Sequence, residues 1–91
     1  MEKILLVEDE AKIRKIIKSY LKEDYKIFEA ADGKKALNIF KNNDFDLIIL
    51  DLMLPKISGE EVCQKIRQIS EIPIIMLTAK SSEENKIEGF N

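Results

Sequence analysis

Ninety-one residues make one domain, 1–91, with room for a single modest core; a chain of this size buries somewhat over about 60% of its unfolded surface. Fifteen Lys and Arg against seventeen Asp and Glu leave a formal net charge of −2, which argues against nucleic-acid or anionic-membrane binding by charge attraction. The single cysteine, Cys63, excludes an internal disulfide and fits a reducing compartment.

Taken in chain order, Lys3 to Val7 reads as a short buried strand that runs into the acids Glu8-Asp9-Glu10. The apolar run at this end is too short for a signal peptide or a spanning helix, so a soluble, cytoplasmic protein with no membrane partner is expected. Ile13, Ile16, Ile17, Tyr20 and Leu21 recur at spacings of three and four, the inner face of a helix. Lys12, Arg14, Lys15, Lys18 and Lys22 then take its solvated face.

Tyr25 to Ala30 forms a second strand, and Asp32-Gly33 punctuates the chain before a helix with Ala36, Leu37 and Phe40 inside, ending at Asn42-Asn43. A third strand runs from about Asp46 to Leu50, inside the continuous apolar stretch that leads to Asp51 and stops at Pro55. Ser58-Gly59-Glu60-Glu61 is a capping-box pattern opening a third helix with Val62, Ile66 and Ile69 inside and Cys63 as a small apolar filler. Ile72 to Thr78 makes a fourth strand, and Ser81-Ser82-Glu83-Glu84 repeats the capping pattern at the start of a last helical segment. Strand and helix alternate four times with short connections. That alternation specifies an α/β fold, a doubly wound parallel sheet with about four helices.

Ligands of such sheets bind at the C-terminal ends of the strands. Asp51 sits at one such end and Glu8 with Asp9 at another. Acids before a helix also suit its dipole, and an Asp before a proline also suits a turn. Both acid groups closing buried strands make a site the stronger reading. If the first and third strands are neighbours, the carboxylates repel one another unless a hard cation sits among them, and Mg²⁺ matches oxygen donors better than Zn²⁺. Thr78 ends the fourth strand as Asp51 ends the third, followed by the small Ala79.

Lys3-Ile4-Leu5-Leu6-Val7-Glu8-Asp9-Glu10, Leu50-Asp51-Leu52-Met53-Leu54-Pro55 and Ile75-Met76-Leu77-Thr78-Ala79-Lys80 resemble, in order and spacing over the whole chain, the receiver domain of bacterial two-component response regulators. The likeness is greatest to the subfamily with a winged-helix DNA-binding domain after the receiver. It implies a flavodoxin-like sheet in the order 2-1-3-4-5. It implies a sensor histidine kinase as partner, Asp51 as phosphoacceptor, and Mg²⁺ held by Glu8, Asp9, Asp51 and the backbone carbonyl of Met53, with Glu8 more often acting through water. Thr78 would be the switch hydroxyl, Ala79 leaving room for it. Ser58 stands where the family often has Asp, a mild change because Ser also caps a helix.

The resemblance also implies a departure. Receivers continue with a fifth strand, carrying a lysine before a proline and an aromatic switch partner, and a fifth helix; no such residues follow Asn91. Lys80 is expected to point to solvent and not to replace that lysine. The expectation is a C-terminally truncated receiver, sheet order 2-1-3-4, self-associating through an exposed Ile74-Ile75-Met76-Leu77 edge. The alternatives are a phosphorylation-independent interaction module and a Mg²⁺-dependent phosphohydrolase, the latter weakened because Met53 stands where such enzymes want a second acid.

Overall fold

The computed structural model describes residues 1–77, in which four parallel strands form one sheet in the order β2-β1-β3-β4. The elements are β1 (Glu2–Val7), α1 (Ala11–Leu21), β2 (Tyr25–Ala30), α2 (Gly33–Lys41), β3 (Leu47–Asp51), α3 (Gly59–Arg67) and β4 (Ile74–Leu77). Both the doubly wound class and the flavodoxin-like order match expectation. Thr78, Ala79, Lys80 and the segment expected to open a fourth helix lie outside the described residues.

The central strand is β1, and its sequence shows why. Ile4, Leu5, Leu6 and Val7 are all buried, so neither face can meet water. Alternation sends Leu5 and Val7 to one side, where they join Ile48, Leu50, Ala36, Val62 and Ile66 under α2 and α3. Phe28, Phe40 and Phe45 extend that core, Phe45 lying edge-on to Phe28 and stacked on Phe40. Ile4 and Leu6 go to the other side with Ile49, packed by Ile17 and Leu21 of α1. At the N-terminal end of the sheet, the Asp46 N–H donates to the Lys3 carbonyl and the Lys3 N–H to Asp46 Oδ2, each at 2.8 Å. This reciprocal pair fixes the register of β1 against β3, and every pairing downstream follows from it.

Two of the three helices among the described residues start on a side-chain cap, and the sequence pattern marks the one at Ser58. Asp32 Oδ1 accepts from the Lys35 N–H at 2.8 Å to start α2, and the Ser58 hydroxyl accepts from the Glu61 N–H at 3.1 Å to start α3. Glu10 precedes α1 without a side-chain cap, and the first turn of α1 holds no acid. The acids Glu8-Asp9-Glu10 therefore lie ahead of the helix, in the turn, rather than in its first turn.

Several expectations are corrected. Ile16 and Tyr20 are 52% and 79% exposed, not inner residues. The packed arc of α1 is rotated by roughly one residue toward Arg14 and Lys18, which reach over to β2, so the opposite flank turns to solvent. Ile69 is exposed because α3 stops at Arg67. The strand β3 begins one residue later and includes Asp51, and β4 begins only at Ile74, after Pro73.

Candidate functional site

The register places the strand ends that carry the two acid groups side by side. Val7 pairs with Ala30 on one side and Leu50 on the other, so the next residues along β1 and β3 are Glu8 and Asp51. Adjacent strands lie about 4.8 Å apart. Alternation puts Glu8 on the side of Ile4 and Leu6, and Asp51 on the side of Ile49, which is the α1 face for both. Both are buried, Glu8 at 1% and Asp51 at 0% exposure. Each strand path stays paired past this point. The Glu8 N–H donates to the Ala30 carbonyl and the Leu52 N–H to the Leu77 carbonyl, both at 3.1 Å.

Beyond Val7 the chain turns, and carboxylate oxygens of Glu8, Asp9 and Glu10 lie within 4.8 Å of one another. The Glu10 N–H donates to Glu8 Oε2 at 3.1 Å, which folds the turn back on its own first acid. Glu10 thus belongs to the cluster although the sequence reading did not include it among candidate ligands. The run of three acids was the available signal.

The turn is also held from outside. Arg14, in the first turns of α1, donates from Nη1 to the Glu8 carbonyl at 2.6 Å and from Nε to Glu29 Oε1 at 3.1 Å. Lys18 Nζ reaches Glu29 Oε2 at 2.9 Å. The Lys18 ammonium, with Arg14 behind it, holds the Glu29 carboxyl below its ordinary pKa against the opposing effect of burial. Arg14, expected on the solvated face, is only 18% exposed at its side chain.

At the other strand end, Asp51 organises the loop that follows it. The Met53 N–H donates to Asp51 Oδ1 at 3.0 Å, and the Gly59 N–H to the Leu52 carbonyl at 3.0 Å. A Cβ at Gly59 would stand 2.3 Å from the Asp51 carbonyl oxygen, so only glycine lets α3 begin directly on the back of Asp51. Lys56 has φ 69°, and the Ile57 N–H donates to the Pro55 carbonyl across it at 2.8 Å. This is a tight positive-φ turn, strained for a residue with a Cβ. The loop is anchored to α2 as well, Lys56 Nζ lying 3.6 Å from Asp32 Oδ2. Asp32 is itself held below its ordinary pKa, first by the Lys35 N–H that it caps. Lys34, Lys35 and Lys56 border an open depression of about 370 Å³ beside Asp32, a solvated basic surface apart from the acid turn.

Comparison with known proteins decides the family. Residues 4–91 match the model of the response regulator receiver domain. The chain belongs to that family. It is 49% identical over 89 residues to the transcriptional regulatory protein ResD of Bacillus subtilis, covering 97% of this chain and 37% of that protein. It is 47% identical over 88 residues to SrrA of Staphylococcus aureus, covering 96% and 36%. The chain therefore spans a little over a third of the length of these curated relatives, which are transcriptional regulatory proteins. Among solved structures, the receiver domain of Francisella response regulator 1452 superposes with a TM-score of 0.82 at 37% identity, covering 99% of this chain and 76% of that one. A chain in the crystal structure of the histidine kinase ThkA in complex with the response regulator protein TrrA superposes with a TM-score of 0.81 at 44% identity, covering 91% and 73%.

Receiver domains generally bind Mg²⁺ at an acidic pocket, and the donor set here fits that ion. The clustered donors are carboxylate oxygens, the chain has no histidine, and Cys63, partly buried on α3, packs against the core of the opposite sheet face. Among the described residues no helix is long and apolar enough to cross a membrane.

Proposed function

We propose that this chain is the phosphoacceptor of a two-component pathway, with Asp51 as the residue phosphorylated and a sensor histidine kinase as donor. One observation carries the reading: Asp51 closes β3 directly beside Glu8, where β1 runs into the acid turn. The step is a single transfer. An Asp51 carboxylate oxygen forms a bond to phosphorus as the phosphorus–nitrogen bond of a kinase phosphohistidine breaks. The imidazole keeps the electron pair and takes a proton from water. The product is an acyl phosphate, so the chain is consumed as substrate rather than turning over as an enzyme.

Phosphoryl transfer has a loose transition state, so positioning and electrostatics carry its catalysis. The Met53 N–H orients the Asp51 carboxylate, and Gly59 holds its backbone against α3. Glu8, Asp9, Asp51 and the Met53 carbonyl would hold Mg²⁺, whose positive charge would offset the negative charge of the phosphoryl oxygens. Thr78, next in sequence after the Leu77 that pairs with Asp51, would sense the phosphoryl group with Ala79 beside it.

The same reading makes residues 1–91 a receiver segment of a cytoplasmic transcriptional regulator, whose DNA contacts would belong to another segment. It also includes self-association through β4, supported by the exposure of Ile75 and Met76. A sedimentation profile that stays monomeric over a wide concentration range would remove that part. The phosphoacceptor itself is tested by intact mass after incubation with a small phosphodonor and Mg²⁺. One phosphoryl increment is expected, absent without Mg²⁺ and absent in Asp51→Asn. An increment that persists in Asp51→Asn would overturn the assignment.

A further inference from the structure

We infer that Arg14 is a positioning residue for the acid turn, setting how tightly Glu8 and Asp9 hold a divalent cation. The inference rests on the cation reading above and extends it to a residue that reaches no cation itself.

The argument starts from the peptide group between Glu8 and Asp9. Its six atoms are planar, so whatever fixes the Glu8 carbonyl also fixes the Asp9 N–H and the direction in which Asp9 leaves the turn. Arg14 Nη1 donates to that carbonyl at 2.6 Å, a short, charge-assisted bond. The guanidinium is not free to follow the turn, because its Nε is bound to Glu29 Oε1 and Glu29 Oε2 is bound to Lys18. Glu29 is the penultimate residue of β2, and its neighbour Ala30 accepts the Glu8 N–H. Both sides of Glu8 are therefore referred to one strand, the N–H directly and the carbonyl through Arg14 and Glu29.

A rigid fork is needed for this, since one side chain must serve two acceptors in different directions. Lysine keeps the charge but presents a single nitrogen on a flexible stem. Glutamine loses the charge as well. If Arg14 acted only as a positive charge near the cation, removing it would tighten cation binding by relieving repulsion. If Arg14 only stabilised the fold, removing it would lower the melting temperature and leave cation affinity alone. Positioning predicts weaker binding instead.

The test is Mg²⁺ affinity by titration calorimetry on the 91-residue chain, beside thermal unfolding without Mg²⁺, for wild type, Asp9→Asn, Arg14→Gln, Arg14→Lys and Glu29→Gln. Outer partners of metal ligands typically account for roughly 10–100-fold in affinity. Arg14→Gln is expected to weaken Mg²⁺ by about tenfold or more, with Arg14→Lys and Glu29→Gln weakened to a smaller extent. Equal or tighter binding in Arg14→Gln would overturn the inference. Should Arg14→Gln fail to fold, wild-type affinity in both Arg14→Lys and Glu29→Gln would overturn it instead. A wild type that does not bind Mg²⁺, or an Asp9→Asn chain that binds it as wild type does, overturns the cation reading beneath.

Discussion

The turn after β1 and the loop after β3 end side by side on one sheet edge, yet they are held in different ways. The loop after β3 is fixed from within by its backbone. Asp51 takes the Met53 N–H, Gly59 donates to Leu52, and α3 starts in contact with the Asp51 carbonyl. The turn after β1 shares only the bond from its own Glu10 N–H to Glu8 Oε2; no glycine seats a helix on its backbone, and α1 begins without a side-chain cap. Its outer support is a chain of charged side chains, Arg14, Glu29 and Lys18, reaching from helix to strand. Backbone packing of the first kind is all-or-none. Charged contacts of the second kind are partly exposed, salt-sensitive and worth little to stability each. The difference teaches that Asp51, the proposed phosphoacceptor, is placed by the fold, while the acids beside it are open to tuning without unfolding the molecule.

The strongest way to break this contrast is Gly59→Ala. Its Cβ would meet backbone atoms of Asp51 and Leu52, which cannot move aside as a side chain can. A loss of about 3 kcal/mol or more is expected in denaturant unfolding, and a change within experimental error would show that α3 does not rest on Asp51. Next comes Ser58→Ala, which removes the bond to the Glu61 N–H and should cost about 1 kcal/mol. Its phosphorylation should persist, because the loop keeps Gly59 and Met53.

Smaller effects are expected on the charged side. Glu29→Gln should cost roughly 0.2–1 kcal/mol at neutral pH and less at high salt. Its more specific signature is in acid. Because the folded state depresses the Glu29 pKa, its contribution is complete above the ordinary glutamate value and is lost as pH falls through the depressed one. Glu29→Gln should therefore flatten that part of the stability curve, and an unchanged acid limb would show that Lys18 and Arg14 do not hold the carboxylate. The smallest effect expected is at Lys56, where a glycine relieves the positive φ but loosens the unfolded chain and forgoes a distant pairing with Asp32. Lys56→Gly should gain a few tenths of a kcal/mol, and a clear loss would assign the strain a structural use.

Much of this was legible in the chain because it rests on local pattern. The continuous apolar runs at Ile4–Val7 and Leu47–Leu50 specify strands buried on both faces, and Ser58-x-x-Glu61 specifies the start of α3. Asp51 and Glu8 stood out because acids at the ends of such strands need a reason. Arg14 did not stand out. On a helix wheel it sits among lysines, and its partner Glu29 lies on β2, fifteen residues away. The exposure of Ile16 and Tyr20 has the same origin. Periodicity gives a helix its apolar stripe but not the angle at which that stripe meets the sheet, and here Arg14 and Lys18 lie toward β2 while Ile16 and Tyr20 do not.

The central claim is that two separately built turns make one site. It is tested most directly by titrating Mg²⁺ into wild type, Asp9→Asn and Asp51→Asn, one substitution in each turn. The account predicts that both variants bind Mg²⁺ at least about tenfold more weakly than wild type while remaining folded. Wild-type affinity in Asp51→Asn, with binding lost only in Asp9→Asn, would contradict it and leave the acid turn as a cation site of its own.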